Sequence, residues 1–224
     1  FAKEIEFKAG YVRVSTPHIA KSNLYYTSGH LPYYKDSMFP PMQLDGDQEY
    51  YLKAMNCPHH HLIFRNRPRS YREMPMRVAE YGTCYRYEDS GSLAGLLRVR
   101  CLNMNDAHIY CRPDQLHSEF RAVLDMHTFY YKKFRLSDYW MRLSFWDPNK
   151  KDKYIDNPAA WASSEKTIKE VVDSTGERYS IGIGEAAFYG PKVDFQIKNV
   201  VGREETASTN QLDFAGADRF DLNY

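Results

Sequence analysis

Apolar and polar positions alternate along this chain with two periods, and the periods divide it into helices and strands. The plainest helical run follows Pro113. There Leu116, Phe120, Val123, Leu124, His127, Tyr130, Tyr131 and Phe134 recur at steps of three and four and form one face. A second helix is predicted with Asn157 as its cap and Pro158 at its first position, closing near Gly176. Residues 1–9 carry the tail of an amphipathic helix that Gly10 should stop, residues 23–28 predict a short helix, and Pro58 opens another over about 58–66.

Period-two or extended patterning predicts strands at 11–15, 49–54, 76–88, 97–110, 137–145, 178–183, 192–199 and 203–214. In 192–199, Val193, Phe195 and Ile197 alternate with Asp194, Gln196 and Lys198, which implies one buried and one wet face. The turn formers of 89–95 make 76–110 a long antiparallel hairpin. Strands in hairpin order, with helices between blocks, predict an α+β fold with a largely antiparallel sheet. There is no glycine-rich phosphate loop of the usual kind.

Composition changes this picture little. The chain has 224 residues, 43% of them apolar, and a net charge of +1, so any nucleic-acid surface must be a local patch. Cys57, Cys84, Cys101 and Cys111 form no C-x-x-C pair and read as reduced thiols of an intracellular protein. No apolar run approaches the ~20 residues of a membrane span. The start, Phe1-Ala2-Lys3-Glu4, reads as the middle of a helix, so the chain looks excised from something longer.

Three groups of residues carry candidate chemistry. On paired strands, Arg86 and Glu88 would share a face with Arg98 and Arg100. Three guanidiniums there suit a triphosphate, although the same pattern also serves a solvated face with cross-strand ion pairs. Met55-Asn56-Cys57-Pro58-His59-His60-His61, with Asn105-Asp106-Ala107-His108, offers a thiol and imidazoles of the kind zinc accepts. Cys57 stands at a predicted helix start, and Asp106 shares a strand face with His108. The alternative is a buried structural cysteine beside surface histidines. The absence of H-E-x-x-H argues against a zinc hydrolase. The third group is 184–192 with 208–214, where Lys192 is either a site residue or an exposed lysine on an alternating strand. His127, on the apolar stripe, reads as a satisfied core histidine.

Taken in order, these segments resemble the threonyl-tRNA synthetases, a family of class II aminoacyl-tRNA synthetases. The resemblance rests on Thr27-Ser28-Gly29-His30, Met55-Asn56-Cys57-Pro58, Tyr85-Arg86-Tyr87-Glu88, Arg98-Val99-Arg100, Asn105-Asp106-Ala107-His108, Ala187-Phe188-Tyr189-Gly190-Pro191-Lys192 and Gln211-Leu212-Asp213-Phe214. It implies a class II antiparallel sheet flanked by helices, filling residues 1–224 as one aminoacylation domain. It implies activation of threonine with ATP and transfer to tRNA(Thr). Arg86 would be catalytic, holding the α-phosphate, with Glu88 toward the adenine, Arg98 on the distal phosphates and Leu102 under the base. Cys57 and His108 would be zinc ligands, with a third beyond residue 224, and Mg2+ would accompany ATP. Asp106, Tyr189, Lys192, Thr209 and Gln211 would bind the amino acid. A homodimer, a cytoplasmic or organellar-matrix location and no membrane contact also follow.

Departures from the family pattern are confined. The resemblance implies that the third class II motif and the anticodon-binding domain would lie beyond Tyr224, and no segment here resembles the family's editing domain. Cys101-Leu102-Asn103 replaces a glycine–aromatic–threonine run, which would put a side chain under the nucleotide and an amide in the threonine pocket. A non-catalytic relative, working as a binding or regulatory module, is the second reading.

Overall fold

Gly10, at φ +81°, takes the left-handed conformation that stops the first helix and turns the chain into its first strand. The computed structural model describes residues 1–44 and 46–224. They divide into two units, Phe1–Tyr110 with Ala217–Tyr224, and Cys111–Gly216.

In the first unit the elements run α1 (Ala2–Lys8), β1 (Tyr11–Arg13), β2 (Ile19–Lys21), α2 (Ser22–Ser28), α3 (His30–Tyr33), β3 (Met42–Gln43), β4 (Glu49–Leu52), α4 (Cys57–Arg65), β5 (Met76–Tyr85) and β6 (Cys101–Tyr110). They form two sheets of order β1-β5-β6 and β2-β4-β3. The long hairpin is antiparallel, as its pattern predicts, while β1 joins β5 in parallel. Tyr25, Leu31, Met38, Tyr51 and Ala54 make a small core beneath α2 and α3.

Two expectations change here. The hairpin strands stop at Tyr85 and Cys101, so residues 86–100 are a loop. Its last ladder bond is Arg86 N–H to the Arg100 carbonyl, after which Ser90–Ser92 form a 3₁₀ turn. Arg86, Glu88, Arg98 and Arg100 therefore do not share a sheet face by strand periodicity. Secondly, His59, His60 and His61 are all buried, so the surface-histidine alternative fails.

The second unit contains α5 (Leu116–Phe134), β7 (Tyr139–Phe145), α6 (Pro158–Asp173), β8 (Tyr179–Ile183), β9 (Lys192–Lys198) and β10 (Glu204–Gln211). The sheet order is β10-β9-β7-β8, with only β7 and β8 parallel. Asn157 caps α6 as expected, its Oδ1 accepting from Ala160 N–H at 3.2 Å. One sheet face presents Met141, Leu143, Val193 and Phe195 to Phe120 and Leu124 of α5 and Ile168, Val171 and Val172 of α6. Truncating a fully buried Phe195 to alanine would cost about 3–5 kcal/mol. The α5 stripe runs out at Tyr131, because Phe134 is exposed just before the left-handed Arg135. His127 is the core histidine anticipated, edge-on to Phe195 at 4.8 Å.

The wet face of β9 is not wet. Asp194 and Gln196 are buried, because β9 lies inside the sheet and its polar side chains find neighbours. Gln196 donates to Thr206 Oγ1 at 2.9 Å and Ser144 donates to Asp194 at 3.3 Å. Among the described residues no helix is long and apolar enough to cross a membrane.

Three buried histidines, with half-buried His127, link the fold to pH. Burial is the main cause that pushes His30, His59 and His127 down to about 4 and His61 to about 3. An unfolded histidine titrates near ~6.5, so between that value and ~4 the unfolded chain binds the extra protons. The stability contributed by these neutral rings is complete above the unfolded value and lost as pH falls through the folded ones. The thermal midpoint should hold above about pH 7 and fall steadily from about pH 6.5 to 4. A flat profile across that window in a thermal melt series would contradict it.

Candidate functional site

Register places one set of side chains on a single face of the β5–β6 hairpin. Val78 opposes His108, Glu80 opposes Asp106, Gly82 opposes Met104 and Cys84 opposes Leu102. Helix α4 lies over this face. Its cap residue Asn56 donates to Asp106 Oδ2 at 3.0 Å, His60 Nδ1 is 2.8 Å from His108 Nδ1, and Phe64 stacks on Tyr110 at 4.4 Å. Gly82 makes the approach possible: a Cβ there would sit 2.2 Å from Asn56 Oδ1.

Beneath the helix, Glu80 is 3% exposed. It accepts from Thr16 N–H at 2.8 Å, Thr16 Oγ1 at 2.8 Å, Lys53 Nζ at 3.3 Å and His60 Nε2 at 3.0 Å. Burial alone would push this carboxyl up. The hydrogen bonds from Thr16 and His60 and the Lys53 charge outweigh it and hold the group down at about 2.

The expected metal ligands stand at this same place. Cys57 opens α4 between Asn56, which touches Asp106, and His60, which touches His108. A thiol at a helix N-terminus and an imidazole whose Nδ1 is already hydrogen-bonded suit zinc in kind. They supply two donors, and among the described residues no three His, Cys, Asp or Glu side chains converge to hold a metal.

Residue 86 begins the loop. Arg86 makes no ion pair or hydrogen bond with a described side chain, and its Nε is buried without a partner. A buried guanidinium nitrogen that no protein group satisfies has the chemistry to receive an oxyanion. Glu88 instead pairs with Arg98 at 2.9 Å, in an exposed salt bridge, and its carbonyl accepts from Arg100 Nε at 2.8 Å. Leu102 lies on the inner face with Asp106 and His108. Cys101 and Asn103 point the other way and are exposed, with Asn103 Oδ1 accepting from Thr83 at 2.8 Å. The expectation that they intrude on the pocket is therefore corrected: strand alternation carries them to the opposite face.

In the second unit, Lys192 opposes Gln211 and Asp194 opposes Thr209, so these four share the polar face of β9 and β10. Lys192 is no simple exposed lysine; its Nζ pairs with Asp194 Oδ2 at 2.5 Å. Tyr189 donates to Gln211 Oε1.

Several residues were missed by sequence reasoning. Asn56 and His60 lie inside a motif already singled out, but their targets lie some fifty residues away. Glu80 gave no signal, since an acid on an alternating strand reads as wet. His30, within Thr27-Ser28-Gly29-His30, is buried between Ser28 Oγ at 2.7 Å from Nδ1 and Met55 Sδ at 3.0 Å from Nε2.

Residues 41–224 match the family model described as "tRNA synthetase class II core domain (G, H, P, S and T)". The chain is 52% identical over 219 residues to a threonine–tRNA ligase of Staphylococcus aureus, covering 98% of this chain and 34% of that protein. It spans about a third of the length of the curated relatives it matches. A crystal structure titled as the RNA binding domain of threonyl-tRNA synthetase from Cryptosporidium parvum is 35% identical, with a TM-score of 0.91, over 100% of this chain and 54% of that one. A threonyl-tRNA synthetase described as putative, from Aeropyrum pernix, is 33% identical with a TM-score of 0.87, over 98% of this chain and 50% of that one.

Gly82→Ala tests the seating of α4. The added methyl meets Asn56 Oδ1 at 2.2 Å, and overpacking of this kind costs about 1–3 kcal/mol. The variant should melt at a clearly lower temperature in a calorimeter. An unchanged melting point would show that Asn56 does not fill that space.

Proposed function

The chain belongs to the class II tRNA synthetase core domain family, and from that premise we propose that it is the aminoacylation core of a threonine–tRNA ligase. The observation that carries the reading is Arg86, a guanidinium with a buried, unpartnered Nε at the mouth of the hairpin. A site built to meet a phosphate leaves such a group unpaired until the phosphate arrives.

In this reading the threonine carboxylate attacks the α-phosphorus of ATP. The bond to pyrophosphate breaks and threonyl-adenylate forms. Arg86 meets the negative charge that grows on the phosphorus oxygens and on the incoming carboxylate. The terminal ribose hydroxyl of tRNA(Thr) then takes the threonyl group and AMP leaves. Glu88 faces the adenine and Arg98 the distal phosphates, with Mg2+ accompanying the triphosphate. The exposed Glu88–Arg98 pair is worth about 0–1 kcal/mol, so a triphosphate can draw Arg98 away at little cost. Leu102 supplies an apolar floor for the base.

Amino-acid selection belongs to Cys57, His108 and Asp106. Cys57 and His108 would hold zinc, which would supply a Lewis acid for the polar groups of threonine, its amine and its hydroxyl. Asp106, steadied by Asn56, accepts from that hydroxyl. Valine has nearly the same shape but no hydroxyl, and unmet polar demands discriminate far better than a missing methyl. Tyr189, Lys192, Thr209 and Gln211 are assigned to amino-acid binding, with Lys192 exchanging Asp194 for a substrate oxygen. A cytoplasmic homodimer of the full-length protein completes the proposal. Reading the chain as a non-catalytic module is not favoured, because Arg86, Cys57, Asp106 and His108 are all kept.

Pyrophosphate exchange into ATP tests this in the full-length protein. Threonine should support exchange and valine should not. Arg86→Ala should lower kcat/KM by about 10²–10³-fold while leaving the melting temperature nearly unchanged. Exchange without threonine, or an Arg86→Ala variant of full activity, would overturn the assignment.

A further inference from the structure

Glu80, His60 and His108 form a single line of hydrogen bonds, and its first member dictates the protonation of the last. His60 is fully buried, with Nε2 3.0 Å from Glu80 Oε2 and Nδ1 2.8 Å from His108 Nδ1. The two rings meet edge to face at 87°. Every group around the carboxylate is a donor: Thr16 N–H, Thr16 Oγ1–H and Lys53 Nζ. An ionised carboxylate can only accept, so His60 Nε2 must carry a proton. A neutral imidazole has one N–H, which leaves His60 Nδ1 bare. His108 must then donate through its own Nδ1, and its lone pair falls on Nε2.

We propose that Glu80, acting through His60, is a positioning residue that locks His108 in the tautomer with its lone pair on Nε2 and so presets it as a ligand for a divalent cation of the zinc type. The inference rests on the reading of His108 as a metal ligand. Its geometry is the one zinc sites use, in which the imidazole nitrogen remote from the metal is held by a hydrogen bond. Here the holding group is a second imidazole, itself set by a buried carboxylate.

Glu80→Gln separates this role from packing, since it changes no shape. The Oε1 position receives Thr16 N–H at 2.8 Å and Lys53 Nζ at 3.3 Å, neither of which can accept, so the amide oxygen settles there; Thr16 Oγ1, 3.0 Å from Oε1 and 2.8 Å from Oε2, can donate to the oxygen and accept from the NH2. The NH2 is left facing His60 Nε2. That nitrogen becomes the acceptor, His60 Nδ1 becomes the donor, and His108 accepts at Nδ1 and is protonated at Nε2. One substitution thus reverses two imidazoles and blocks the nitrogen a metal would use.

The measurement is the ¹⁵N–¹H spectrum of histidine-labelled full-length protein at pH 8 without metal, followed by titration with Zn2+ against a competing chelator. The wild type should show His108 protonated at Nδ1. Glu80→Gln should show it protonated at Nε2, with Zn2+ affinity lower by about 10–100-fold. Wild-type His108 protonated at Nε2 overturns the proposal, and this holds even if the variant fails to fold. An unaltered tautomer and unaltered Zn2+ affinity in a folded variant overturn it too. The two readings fail separately. The wrong tautomer with tight Zn2+ binding removes the relay and leaves the metal assignment. The expected tautomer with no Zn2+ binding overturns the role given to His108 here and in the proposed function.

Discussion

A buried carboxylate that must remain charged is the constraint on which the first unit depends. Glu80 lies on β5, yet its partners come from the segment after β1 (Thr16), the segment after β4 (Lys53) and helix α4 (His60). A buried charge is tolerable only when its neighbours satisfy it, so the fold must bring four pieces of chain to one point. Removing Lys53 leaves the Glu80 charge uncompensated, a loss that typically costs about 3–5 kcal/mol when a buried ion pair is broken. Such a network adds little net stability over an apolar core. What it adds is definition: α4 can sit on the hairpin in one register only, with Asn56 on Asp106 and His60 on His108.

The same hairpin shows how strand alternation sorts residues by task. Its inner face holds Glu80, Leu102, Asp106 and His108, all addressed by α4 or by the candidate substrate chemistry. Its outer face carries Cys101, Asn103 and Asn105, which are exposed and answer to other neighbours. Asn105 donates to Glu6 of α1 at 2.9 Å, tying the outer face to the first helix. Of Cys101, Leu102 and Asn103, strand alternation therefore brings only Leu102 to the inner face.

Local signals were legible in the sequence and long-range ones were not. The α5 stripe, the Asn157 cap, the Gly10 stop and the hairpin each depend on residues within a few positions, and the structure has all of them. The shared face of Arg86, Glu88, Arg98 and Arg100 failed because it assumed that pairing continues past Tyr85 and Cys101, where turn formers end it. Three consecutive histidines have no period, so nothing in 59–61 announces that all are buried. Glu80 and Asp194 read as wet because alternation locates the polar face of a strand without saying what covers it. Their partners are remote: Glu80 and Thr16 stand 64 positions apart, and Asp194 and Ser144 stand 50 apart. The family resemblance singled out Asp106 and His108, though not Asn56 and His60, which touch them.

Two sets of charged residues in the first unit differ mechanically. Those around Glu80 are buried, mutually hydrogen-bonded and fixed by the packing of α4. Those of the 86–100 loop are either unpaired, as Arg86 is, or joined in an exposed pair that exchanges easily, as Glu88 and Arg98 are. A ligand that is held throughout a reaction benefits from the first arrangement, because preorganisation lowers the cost of binding. A triphosphate that arrives, reacts and departs benefits from the second, because its partners must release what they hold. Under the proposed function each class stands where its task would require it: fixed contacts under a helix on paired strands, and exchangeable ones in the loop where the ladder ends.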